Sequence, residues 1–181
     1  MISIPSLTFQ SLRMEEQVIL VDEQDNEVGF MPKMEAHLKG VLHRAFSVFL
    51  FNDKGELLLQ KRASSKYHSP SLWTNTCCSH PRKNETVLAA ARRRLKEEMG
   101  ISTDLKVKFS FIYKAELDQG LTEHELDHVL TGTFNGKPKL NSEEAEDWRY
   151  ISTSDLTEEI KNNPNEFTEW FKICLAQTLS S

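Results

Sequence analysis

Residues 79–101 read Ser79-His80-Pro81-Arg82-Lys83-Asn84-Glu85-Thr86-Val87-Leu88-Ala89-Ala90-Ala91-Arg92-Arg93-Arg94-Leu95-Lys96-Glu97-Glu98-Met99-Gly100-Ile101. Leu88, Ala91, Leu95 and Met99 recur at helical spacing, so the stretch predicts a helix with one apolar face. Asn84 can cap a helix that begins at Glu85, and Gly100 supplies the residue that commonly ends one. The carbonyl end of a helix is partially negative, so Glu97 and Glu98 in the last turn cost roughly 0.3–1 kcal/mol each. Arg93 and Arg94, four residues earlier, can offset that cost as surface ion pairs. A hard divalent cation such as magnesium offers the other solution, because it takes oxygen ligands from one or two carboxylates and a substrate phosphate.

Upstream of this helix, Ala63 to Pro81 is mixed and turn-rich and carries Trp73-Thr74-Asn75-Thr76-Cys77-Cys78-Ser79-His80. A long irregular segment inside a compact domain is more often a binding loop than slack. Further upstream, Gln17–Val21 and Val28–Phe30 flank a polar turn and predict a hairpin. Phe46–Phe51 and Leu57–Gln60, joined by Asn52-Asp53-Lys54-Gly55, predict a second. Downstream, Phe109–Ala115, His128–Phe134 and Trp148–Ile151 read as strands, and Glu166–Thr178 as a last amphipathic helix. Strands around one central helix, with another at the end, predict an α/β sandwich.

The chain has 181 residues, 39% of them apolar, which suffices for one core. Residues 1–14 read as a loose leader and 15–181 as a single domain. A net charge of -5 with both signs scattered argues against a general nucleic-acid binder, which needs a basic stripe. Three cysteines leave an odd thiol under any pairing, so a reducing cytoplasm is expected. Met1 to Glu16 lacks the charged start and apolar run of a signal peptide, and no stretch approaches the roughly 18 apolar residues of a membrane span. A soluble protein without membrane partners is expected. The sequence sets no oligomeric state, and a monomer fits it.

Two adjacent cysteines cannot face the same way, and each alone reads as a small buried apolar residue. A free thiol with pKa about 8.5 is mostly protonated at neutral pH, so a role as base requires local positive charge or a nearby metal. His80 and the arginines are candidates. Glu123 and Glu125 point to one face if their segment is a strand, with His124 and Leu126 on the other. His124-Glu125-Leu126-Asp127-His128 also spells the H-E-x-x-H pattern of zinc proteases, which needs a helix. The strand-like residues that follow make this a chance match. Phe167, Trp170, Phe171, Cys174 and Leu175 form a stripe that reads as core packing.

Residues 79–101 resemble the signature of the Nudix family: Gly, five residues, Glu, seven residues, Arg-Glu, an apolar residue, any residue, Glu-Glu, any residue, Gly, apolar. Glu85, Arg93, Leu95, Glu97, Glu98, Gly100 and Ile101 fall in register. Ser79 stands in place of the first Gly, and Arg94 in place of the first metal-binding Glu. That departure, with Cys78-Ser79-His80-Pro81, resembles one branch, the type I isopentenyl-diphosphate isomerases. The likeness runs over residues 17–172 through Lys33-Met34-Glu35-Ala36-His37, His43, Arg62-Ala63-Ser64-Ser65-Lys66, Trp73-Thr74-Asn75, Glu123-His124-Glu125 and Trp170.

The resemblance implies an α/β (α+β) fold, a Nudix-like α/β/α sandwich with a mixed β-sheet, acting on a prenyl diphosphate. It implies that Glu125 delivers a proton, that Cys78 exchanges one on the opposite face, and that Tyr113 hydrogen-bonds the Glu125 carboxyl. Trp170 would stabilise a carbocation. His37, His43, His80, Glu123 and Glu125 would hold Mn²⁺, Mg²⁺ or Zn²⁺. Glu98 and the Cys78 carbonyl would share a second Mg²⁺ with the diphosphate, and Cys77 would be core. Lys33, Arg62, Lys66 and Arg94 are the candidate diphosphate cations, with Arg82 and Lys83 as helpers. Two other readings stand beside this one: a Nudix diphosphate hydrolase, disfavoured by Arg94, and a non-catalytic metal or prenyl-diphosphate binding module.

Overall fold

The computed structural model describes residues 16–180, so the expected leader lies outside the described residues. β1 (Gln17–Val21) and β2 (Glu27–Pro32) form the expected first hairpin. Its turn is closed by the Asp22 carboxylate, which accepts the backbone N–H groups of Gln24 and Asn26. A short helix the sequence reading did not anticipate, α1 (Lys33–Lys39), leads into the central strand β3 (His43–Phe51).

One edge of β3 pairs along its whole length, in parallel, with β8 (Thr122–Thr133). The other edge meets three strands in turn: β1 at His43, β6 (Cys77–Ser79) at Phe46–Val48, and β4 (Leu57–Arg62) at Phe51. The second expected hairpin is therefore paired only beside its turn, because β3 and β4 part to admit the β6 segment. Thr76 fills the gap: its hydroxyl accepts the Leu50 N–H at 3.0 Å and donates to the Leu58 carbonyl at 2.6 Å. β4 also pairs with β5 (Trp73–Thr74) and β9 (Ala145–Ile151), and β7 (Leu105–Glu116) pairs with β8. With a parallel pair among antiparallel ones, the sheet is mixed. β8 is extended through His124–His128, which excludes the helical protease pattern.

α2 (Val87–Met99) is the helix read from the opening stretch, and Gly100 ends it at φ +65°. Its cap is Thr86, whose hydroxyl accepts the Ala89 N–H, rather than Asn84. Asn84 is held in a left-handed turn at φ +62°, two residues too early to reach the first helical N–H groups. Glu85 stays outside the helix and holds Arg93 through both carboxylate oxygens. α4 (Glu169–Ser180) starts later than expected, since Pro164–Glu166 closes a separate turn, and α3 (Thr153–Asn162) is a further helix capped by Ser152.

The two faces of the sheet carry separate cores. Phe46, Val48, Leu50 and Leu58 pack with Ala90, Ala91, Leu95 and Met99 of α2. Phe49, Leu57, Leu59 and Val129 pack with Leu156 of α3 and Phe171, Cys174 and Leu175 of α4. The alternation along β3 feeds one core and then the other, which is the α/β/α sandwich expected. Each Leu or Phe so buried contributes about 1.5–3 kcal/mol.

Candidate active site

Strand register builds the centre of the site. His43 of β3 pairs with Glu125 of β8, and Glu125 pairs with Tyr113 of β7, so three functional groups rise from one row across the sheet. Glu123 lies two residues along the same face of β8. His80 directly follows β6, placed by the Phe46–Ser79 pairing. His37 arrives from α1, where Gly40 at φ +60° ends the helix and turns the chain back toward β3. The His37 and His43 rings then stand 4.9 Å apart, and His80 lies 5.0 Å from His43 and 5.6 Å from His37.

His37 Nδ1 donates to the Lys33 carbonyl at 2.7 Å, and His43 Nδ1 donates to the Val41 carbonyl at 2.8 Å. These bonds fix the tautomer and leave both Nε2 lone pairs facing the cluster, the arrangement that metal-binding imidazoles use. His80 Nε2 donates to Glu125 Oε1 at 2.9 Å, and His43 Nε2 lies 3.5 Å from the same oxygen. His43 Nε2 is a buried nitrogen with no hydrogen-bond partner. One ligand atom from each of His37, His43, His80 and Glu125 lies within 4.8 Å of the others, so these four fit a divalent cation. Burial lowers the pKa of His37 and brings His80 to about 4, keeping both imidazoles neutral as ligands require.

Glu123 stands outside that tight group and is held by Tyr113. The Tyr113 hydroxyl lies 2.9 Å from Glu123 Oε2 and 2.7 Å from Glu125 Oε2, and its single proton can serve only one of them. Burial, reinforced by the neighbouring Glu125 charge, pushes the Glu123 carboxyl well above its usual range. Burial would raise Glu125 too, but the His43 and His80 imidazoles outweigh it and hold that carboxyl well below.

Cys77 turns into the α2 core, whereas Cys78 lines the cavity with Glu125 and Tyr113. The expectation that His80 and the arginines would lower the Cys78 pKa is corrected: burial pushes the thiol well up, and Glu98 adds to it while Arg62 opposes. His80 is neutral, and the carboxylates outnumber the cations that reach the sulfur.

Lys33, Arg62, Lys66, Arg94, Glu98 and Trp170 line the same cavity. Lys33 pairs with Glu16 at 3.4 Å. Arg62 donates to the carbonyls of His68 and Ser69 at 3.1 Å, and its guanidinium sits 5.1 Å over the Trp170 ring. Arg94 donates to Glu97, Glu98 and Glu144, and its buried Nε has no partner. The Glu98 and Glu144 charges outweigh burial and raise the Arg94 pKa. Glu98 also accepts from Gln60 at 2.9 Å. Arg82 and Lys83 do not line the cavity; Lys83 rests on the Phe30 ring.

Sequence reading missed Gln60, His68 and Glu144. His68 stands edge-on to Trp170, with ring centroids 5.6 Å apart, and burial followed by the Arg62 charge lowers its pKa to about 3. Glu144 comes from the turn before β9, far in sequence from every motif. The only signal for it was a run of acids beside a predicted strand.

The family described as NUDIX domain matches residues 41–171. Isopentenyl-diphosphate Delta-isomerase 2 of Aromatoleum aromaticum is 52% identical over 167 residues, covering 92% of this chain and 88% of that protein. Isopentenyl-diphosphate Delta-isomerase of Serratia proteamaculans is 52% identical over 158 residues, covering 87% and 88%. Among solved structures, a Deinococcus radiodurans protein superposes with a TM-score of 0.74 at 19% identity, covering 90% of this chain and 98% of that one. The MutT protein of Methanosarcina mazei gives 0.60 at 17%, covering 75% and 91%. The solved structures share the fold; the sequence relatives, alike over most of both chains, place this chain in the Nudix superfamily and, within it, in the type I isopentenyl-diphosphate isomerase family.

Proposed function

We infer that the protein is an isopentenyl-diphosphate Delta-isomerase, interconverting isopentenyl and dimethylallyl diphosphate. The observation that carries this reading is one cavity holding a thiol, Cys78, and a carboxyl, Glu125, beside the cations Lys33, Arg62 and Lys66. Moving a double bond from the 3,4 to the 2,3 position adds a proton at C4 and removes one from C2, through a tertiary cation at C3. An unactivated alkene is a poor base, so the reaction needs a placed acid on one face, a base on the other, and stabilisation between them.

In one direction Glu125 gives a proton to C4 and the Cys78 sulfur takes one from C2. In the other, the Cys78 thiol protonates C2 and the Glu125 carboxylate takes the proton from C4. In the free protein burial pushes the Cys78 thiol toward its protonated form, while the imidazoles beside Glu125 favour the carboxylate. The first direction requires a proton to pass from the thiol side to the carboxyl. Tyr113, hydrogen-bonded to Glu125, orients that carboxyl. The Trp170 face stabilises the cation, a contact worth about 2 kcal/mol when desolvated. Water must be kept out of the site, since it would trap the cation as an alcohol.

His37, His43, His80 and Glu125 would hold Mn²⁺, Mg²⁺ or Zn²⁺, with Glu123 adjacent, and Glu98 with the Cys78 carbonyl would meet a Mg²⁺ carried by the diphosphate. Bound metal would supply charge that makes the Glu125 carboxyl a stronger acid. Lys33, Arg62, Lys66 and Arg94 would serve the diphosphate. Among the described residues no helix is long and apolar enough to cross a membrane, and the three cysteines are unpaired, which supports a cytoplasmic protein acting on a small molecule.

The test is proton NMR of isopentenyl diphosphate with the protein and Mg²⁺ in D₂O, beside Cys78→Ala and Glu125→Gln. Dimethylallyl methyl signals with deuterium incorporation, lost in both variants, are expected. Phosphate release without isomer would indicate a hydrolase, and an unchanged substrate would indicate a binding module.

A further inference from the structure

Glu144 has no part in the chemistry above, yet its carboxylate lies among the cations of the cavity. Oε1 accepts from Arg94 Nη2 at 2.9 Å, and Oε2 pairs with Lys66 Nζ. Two cations are thus held from two sides by the two oxygens of one anion, as two oxygens of a diphosphate would hold them. Arg94 has little else to offer, because its other donors serve Glu97 and Glu98 and its Nε is buried.

We propose that Glu144 is a specificity-determining residue that occupies the anion position between Lys66 and Arg94 in the free protein and yields it to the diphosphate. The proposal rests on the diphosphate reading of this cavity. Glu144 is placed to yield: it sits in the turn that begins at Asn141, and its side chain keeps 19% exposure, so it can swing toward solvent. An incoming ligand must then carry enough charge and enough oxygens to replace a carboxylate that already satisfies both cations. A diphosphate meets that requirement better than a single phosphate, which faces the same competitor with fewer contacts.

A residue that merely braces the pocket would weaken ligand binding when altered, whereas a resident competitor strengthens it when neutralised. Inorganic pyrophosphate with Mg²⁺ is titrated calorimetrically into the parent protein and Glu144→Gln, with thermal unfolding as the check on folding. The variant is expected to bind on the order of tenfold more tightly, the effect of removing one like charge beside the ligand at an intermediate dielectric. Unchanged or weaker binding overturns the proposal. Should Glu144→Gln not fold, Glu144→Asp, which keeps the charge but is one methylene too short to span both cations, competes through fewer contacts and is expected to bind several-fold more tightly; unchanged or weaker binding again overturns it. Absence of pyrophosphate binding in both proteins removes the proposal together with the anion site. Tighter binding without isomer formation supports the proposal and tells against the reaction alone.

Discussion

His43 and Glu125 are register partners across the parallel β3–β8 pair, and His43 Nε2 faces Glu125 Oε1 at 3.5 Å. A divalent cation seated among these groups would be held by the His43 nitrogen and the Glu125 carboxylate together. Glu125→Gln is therefore expected to lower both bound metal and turnover. Metal per chain by elemental analysis should fall well below that of the parent, and turnover by about 10²–10⁴-fold, the usual worth of a placed acid–base group. Full metal content with lost turnover would separate the two roles.

Tyr113→Phe removes the hydroxyl shared by Glu123 and Glu125. One buried carboxyl oxygen loses its donor, so stability should drop by about 1–3 kcal/mol. Turnover should fall about 10- to 100-fold through loss of carboxyl orientation. Chemical unfolding and steady-state kinetics on one preparation measure both.

Stability should fall on the acid side partly through His68, whose pKa drops from 6.5 unfolded to about 3 folded. Between those values the unfolded chain binds a proton that the folded protein refuses, so stability declines as pH falls below 6.5 and continues to decline toward pH 3. From about pH 7.5 to pH 5 the loss at this one group is about 2 kcal/mol. His68→Gln should show a smaller drop in urea midpoint over that interval than the parent. An equal drop would exclude His68 as a source.

Gly100→Ala should destabilise without altering the site. The position is left-handed at φ +65°, and a Cβ would stand 2.8 Å from the Lys139 carbonyl oxygen. The backbone strain costs about 1–2 kcal/mol before the clash is added. The midpoint of thermal unfolding should fall by about 5 °C, with KM for isopentenyl diphosphate unchanged.

The parts legible in the sequence were those governed by local rules. α2 announced itself by period and terminal glycine, and the first hairpin by its polar turn. α1 escaped because seven residues carry too little periodicity, and the cap moved from Asn84 to Thr86 because both are good caps and only backbone geometry chooses. α3 had its Ser152-Thr153-Ser154-Asp155 start in plain view but a weakly apolar face. The metal cluster was legible only through family resemblance, since no local pattern joins His37, His43, His80 and Glu125. Charge partnerships such as Lys66 with Glu144 depend on which turns meet, and only the fold supplies that. The elevated thiol of Cys78 was misjudged because counting nearby cations ignores burial and the carboxylates beyond them.

The split edge of β3 also has a temporal side. During synthesis the strand emerges with β1 behind it and receives β4 and β6 soon after, yet residues 125–133, its longest partner, are made much later. Until they arrive, an apolar strand end bearing Phe49 has an open edge and a bare face, and α4, which covers that face, comes later still. Non-local pairing of this kind folds slowly and leaves nascent chains prone to association. The nascent chain, rather than the finished enzyme, is therefore the state in which this strand's edge is most open to association.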